Sequence, residues 1–109
     1  MPADELLCTR VRGALKRTAG VSEKKMFGGL SFLVNGNMAC GVIDDKLVVR
    51  VGPTVYEDCL ARPHATKMDF TGRPMKGWVY VLAPGHKTDE DLKSWVKKGV
   101  AFARSLPAK

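Results

Sequence analysis

At 109 residues, 45% hydrophobic and 27% charged, the chain fits a single domain spanning 1–109 and is too short for a multidomain enzyme. Eighteen Lys and Arg against eleven Asp and Glu leave a formal charge of +7, which favours anionic partners and says nothing about fold. Three scattered cysteines, Cys8, Cys40 and Cys59, lack the close pairing of zinc or redox motifs and read as reduced thiols.

The early acids Asp4 and Glu5 do not resemble the basic start of a secretory signal. No stretch approaches the roughly 20 apolar residues of a membrane span. The expected compartment is the cytoplasm, with no membrane partner.

In chain order, Leu7, Val11, Ala14 and Leu15 recur at helical spacing and predict a helix from about Asp4 to Thr18, closed by Gly20. From Lys24 to Val51 the pattern becomes short runs of Val, Ile, Leu and Phe broken by turns, which predicts a meander of three or four strands. A short strand is expected around Met26 and Phe27, ended by Gly28-Gly29. Asn35-Gly36 suits a type I′ turn between Leu30–Val34 and Met38–Ile43, because both central residues need positive φ. Asp44-Asp45 makes the next reversal, into Leu47–Val51.

Gly52-Pro53 should stop the sheet and open a short helix over Thr54–Ala61, ended by Arg62-Pro63. Lys67–Phe70 and Trp78–Leu82 read as two strands joined by a glycine-bounded loop. Thr88 is placed to cap the last helix, with Asp89, Glu90 and Asp91 at the positive end of its dipole. Its stripe of Leu92, Trp95, Val96, Gly99, Phe102, Ala103 and Leu106 predicts a core face. Gly99 within that stripe implies close packing against another element. The fold class is therefore α+β, an antiparallel sheet with helices on one face in the order α-β-β-β(-β)-α-β-β-α.

Three blocks carry a resemblance: Lys24-Lys25-Met26-Phe27-Gly28-Gly29, Leu47-Val48-Val49-Arg50-Val51-Gly52, and the run from Met68 through Gly72-Arg73-Pro74-Met75-Lys76-Gly77 to Trp78. Together they resemble the N-terminal domain of the TfoX/Sxy family of competence regulators, over nearly the whole chain. The resemblance implies a helix, three-strand, helix, two-strand, helix sandwich similar to secretion-chaperone-like folds. Family members that switch on natural transformation carry a second, C-terminal domain and work with a cyclic-AMP receptor-type activator. The expectation for this chain is the N-terminal module alone.

Catalysis needs a nucleophile or an acid/base group beside a partner that tunes it, and no such pair stands out. His64 and His86 read as surface loop histidines. Cys40 and Cys59 read as small buried hydrophobes, and Trp78 and Trp95 as packing residues. Met26-Phe27-Gly28-Gly29 lacks the G-x-G-x-x-G spacing of a nucleotide loop and reads as a tight turn. No catalytic residue, metal or cofactor is expected.

The remaining signals are cationic. Arg50 interrupts an apolar strand and must be exposed, paired with an acid, or used on an anion. The loop carrying Arg73 and Lys76 can present two cations around a stiff proline. The candidate anion or nucleic-acid contacts are thus Lys24, Lys25, Arg50, Arg73 and Lys76. If the charge reflects a nucleic-acid surface, these should gather with Arg10, Arg12, Lys16 and Arg17 into one patch.

The leading function is a non-enzymatic regulatory or protein-binding module whose partner the residues do not name. The alternative is a sequence-tolerant nucleic-acid binder, and a small-molecule binder or small enzyme comes third. A homodimer is expected too, because three helices cover only one side of a sheet that is apolar on both.

Overall fold

A computed structural model describes residues 4–26, 28–68 and 76–108. Helix α1 (Glu5–Ala14) leads into strands β1 (Val21–Met26), β2 (Gly29–Val34), β3 (Asn37–Ile43) and β4 (Lys46–Arg50). Then follow α2 (Tyr56–Leu60), β5 (Ala65–Lys67), β6 (Trp78–Val81), a 3-10 turn (Ala83–His86) and α3 (Asp89–Arg104). The six strands form one antiparallel sheet in the order β1-β2-β3-β4-β6-β5. This is the expected α+β class, with four strands before α2.

Local chemistry explains the element ends. Asp4 Oδ1 accepts from Leu7 N at 3.0 Å and so caps α1. Its own N–H donates to the Asp44 carbonyl at 2.8 Å, which ties the helix start to the β3–β4 hairpin. Asn35 (φ 53) and Gly36 (φ 84) take the left-handed pair that their turn requires. Thr88 Oγ1 accepts from Asp91 N at 3.1 Å at the start of α3.

Several boundaries differ from those read in the sequence. α1 stops at Ala14, so Gly20 does not close it; Gly20 instead stands just before β1, where its carbonyl accepts from Asn35 N at 3.0 Å. Pro53 is not in the first turn of α2, which begins at Tyr56 with Val55 as an N-cap that makes no side-chain bond. The strand expected at Lys67–Phe70 lies earlier, at Ala65–Lys67, because the chain turns back through His64 (φ 66) directly after α2. Phe70 and Phe27 lie outside the described residues.

All three helices cover one face of the sheet. Leu7, Cys8 and Val11 of α1, Tyr56 and Cys59 of α2, and Leu92, Trp95 and Val96 of α3 share one cluster with Phe32, Cys40, Val42, Leu47, Val49, Val79 and Val81. The register shift at Phe32/Leu33 leaves Ala39 of β3 without a partner, a bulge on β3. There Ala39 joins Val34 and Ala103 of α3 while the next residue, Cys40, also reaches the main cluster. Phe102 and Leu106 do not enter this core: both are half-buried, and Leu106 lies beyond the end of α3.

The other face is not the open apolar sheet that the homodimer expectation assumed. Met38, Val48 and Met68 form a buried cluster there, with Ile43, Trp78 and Tyr80 packed against it. Met68 is fully buried. The chain therefore covers part of this face by itself.

α1 and β1 are joined by one ion pair. The Arg12 guanidinium donates to both Glu23 carboxylate oxygens, at 2.8 and 2.9 Å. These bonds hold the Glu23 carboxyl below its ordinary pKa and raise that of Arg12. A depressed carboxylate pKa contributes stability that is fully present above the unfolded value and is lost as pH falls through the folded one. Both side chains are well exposed to solvent, so the contribution is small. Acid titration of stability should thus show a shallow decline below the ordinary carboxylate range, and Glu23→Gln should flatten it. An unchanged acid slope in that variant would show that the pair contributes nothing.

Candidate functional site

Strand alternation sorts the candidate cations before any distance is measured. Lys24 pairs with Ser31, which pairs with Gly41, which pairs with Val48. Because Val48 belongs to the helix-free face, Lys24 belongs there too, and so do Lys46 and Arg50 at alternate positions of β4. Lys25 pairs with Leu30, which packs on the helix-side core, so it points the opposite way from its neighbour.

The single basic patch is therefore not what the fold builds. Lys24 and Lys25 lie on opposite sides of the edge strand β1, and β1 stands three strands, about 14 Å, from β4. Arg12 is occupied by Glu23. Arg10 donates to the carbonyls of His86 at 2.8 Å and Lys87 at 3.1 Å and lies 3.5 Å from Asp89, so it clips α1 to the start of α3. Arg73 lies outside the described residues.

The backbones of Arg50 and Lys76 do meet at one corner. Arg50 is opposite Trp78 in the β4–β6 register. The Gly77 carbonyl accepts from Val51 N at 2.8 Å and Gly52 N at 3.0 Å, which holds Lys76 beside the end of β4. The Arg50 guanidinium carbon lies 5.2 Å from the Trp78 ring centroid and 5.1 Å from that of Phe102, within cation–π range of both. Gly52 (φ 87) makes the second contact possible, since a β-carbon there would collide with the Phe102 ring.

Trp78 thus has a role that the sequence reading missed. It is half-buried on the helix-free face beneath a cation and does not belong to the main core, whereas Trp95 does. Phe102 likewise leaves the core stripe for Arg50. The available signal was Arg50 itself, a cation within an apolar strand. Lys46 sits similarly over Tyr80, at 5.9 Å.

His86 is not a surface histidine. It is buried, and its Nε2 lies 2.9 Å from the Asp45 carbonyl. A carbonyl can only accept, so Nε2 carries the hydrogen; Nδ1 is buried with no hydrogen-bond partner among the described residues. His64 is exposed, as expected, and lines a 590 Å³ surface depression with Asp58, Arg62, Asp91 and Trp95.

All three cysteines are buried and free. Burial raises the pKa of each thiol, with that of Cys40 pushed up to about 12, which opposes thiolate chemistry. Among the described residues, no group of three or more His, Cys, Asp or Glu is placed to hold a metal ion. No helix among them is long and apolar enough to cross a membrane.

The glycines of Met26-Phe27-Gly28-Gly29 lead from β1 into β2, a strand rather than a phosphate-binding helix. No curated protein and no solved structure matches the chain. The family model of the TfoX N-terminal domain matches residues 14–103, from the last residue of α1 through the whole sheet to the final turn of α3. The sequence blocks that resembled this family thus fall within a match covering most of the chain, which belongs to the TfoX N-terminal domain family.

Proposed function

We propose that this domain is a non-enzymatic regulatory module that acts by contact, in the manner its family suggests for competence and transcription control. The supporting observation is the helix-free face. The charged side chains that the register places there among the described residues, Lys24, Lys46 and Arg50, are all cationic, and Trp78 lies among them. Such a face suits an acidic partner protein, and the scattering of the other cations favours discrete contact over general phosphate binding. In this reading the module is cytoplasmic, where its thiols stay reduced.

The regulatory reading is tested in the native host by comparing transcripts after deletion with those after Lys46→Glu/Arg50→Glu at equal protein abundance. The same transcripts should change in both strains. No transcript change on deletion would overturn the reading. A homodimer would form across this face through Leu33, Ile43 and Trp78, and a monomer mass by light scattering at high concentration would remove it.

A second reading, sequence-tolerant nucleic-acid binding, draws support from cations placed beside an aromatic on the helix-free sheet face. Fluorescence anisotropy with mixed DNA and RNA at two salt concentrations separates the two. A steep loss of binding with salt favours nucleic acid, and a flat response at low salt leaves protein contact.

A further inference from the structure

The corner where β4 ends and β6 begins holds a cation, Arg50, that lies against two aromatic rings and has no ion-pair partner among the described residues. Two aromatic rings, Trp78 and Phe102, flank the Arg50 guanidinium at 5.2 and 5.1 Å. Ring contacts engage its charge but accept none of its five N–H groups in the way an oxygen does. Among the described residues Arg50 has no ion pair; the cations that do are Arg10, with Asp89, and Arg12, with Glu23. Nor does it donate a hydrogen bond to any described side chain or backbone carbonyl.

An arginine that merely covers a tryptophan needs only one ring and a mobile side chain. Here the glycine at position 52 admits a second ring, and the Gly77 carbonyl fastens the adjoining backbone at two N–H groups. Those two bonds bring exposed Lys76 to the same corner. A guanidinium already held in place loses little freedom on binding, and its planar fork matches two oxygens of one anion. A neighbouring ammonium adds a second positive charge without geometric demand.

We propose that Arg50 and Lys76 form a binding site for a phosphate group, with Arg50 donating the paired hydrogen bonds and Lys76 supplying charge. The site shares Arg50 with the face proposed above but does not rest on that reading, so absence of regulation or of nucleic-acid binding leaves it standing. The phosphate could belong to a free phosphorylated metabolite or to a nucleic-acid backbone.

The test titrates the full chain with inorganic pyrophosphate, following tryptophan emission and the Arg50 Nε–H resonance. Both should move saturably, and Trp78→Phe should remove the emission change while the resonance shift persists. Arg50→Lys, which keeps the charge and loses the fork, should weaken binding roughly tenfold. Arg50→Gln should abolish saturation, whereas Lys16→Gln, beyond the end of α1, should not change it. Melting curves accompany each variant, and if Arg50→Gln does not fold, Arg50→Lys decides.

Competition then identifies the source. Displacement of pyrophosphate by a short thymidine oligonucleotide assigns the site to backbone phosphate, and failure to displace assigns it to free phosphate compounds. Either result supports the site. Absence of a saturable response, an unchanged affinity in Arg50→Lys, or equal competition by a polyglutamate peptide would overturn it.

Discussion

Trp95→Ala is expected to destabilise the domain by about 3–5 kcal/mol, a large share of the roughly 5–15 kcal/mol that holds a domain of this kind folded. Trp95 is 3% exposed and lies in the cluster that joins all three helices to the sheet. Removing its ring leaves a void among side chains that relax only partly, so the loss combines burial with cavity. The outer edge adds to the effect: Arg62 and Lys98 lie 5.6 and 5.7 Å from the ring centroid, and both lose that contact. Chemical denaturation measures the change directly. A loss below about 1 kcal/mol would show that the tryptophan is not a core residue.

Gly99→Ala should also destabilise, although helix propensity alone predicts a gain of about 1 kcal/mol. The two effects have opposite signs, so the measurement decides between them. Gly99 is buried where α3 packs tightly on β3, and a β-carbon on it would collide with the Ala39 carbonyl oxygen. That obstacle is backbone at the β3 bulge, which cannot rotate away as a side-chain tip could. Overpacking of this type costs roughly 1–3 kcal/mol, and relief requires α3 to move off β3 and Ala103 to leave its pocket against Val34 and Ala39. A rise in the denaturation midpoint would mean that the helix shifts freely and that the glycine does not set its distance from the sheet.

Local signals in the sequence determined most of the elements. The α3 stripe of Leu92, Trp95, Val96, Gly99 and Ala103, the Asn35-Gly36 reversal and the Thr88 cap each depend on residues within a few positions of one another, and each is present in the structure, whereas Phe102 and Leu106 leave that stripe. The cation in the apolar strand at Arg50 was legible as an anomaly for the same reason. Its surroundings were not, because they depend on distant partners.

The tertiary structure inserts β6 between β4 and β5 and so sets Trp78 opposite Arg50, nearly thirty residues away in the chain. It brings the 3-10 turn against the β3–β4 hairpin, burying His86 that local sequence placed in a loop. It also puts Lys24 and Lys25 on opposite faces of β1, a consequence of the two-residue period of a strand that runs from Val21 to Met26 and that the sequence places around Met26 and Phe27. Periodicity and turn chemistry reside in adjacent residues and can be read from them. The choice of neighbouring strand, and with it the company each charge keeps, is decided only when the whole sheet and its helices pack.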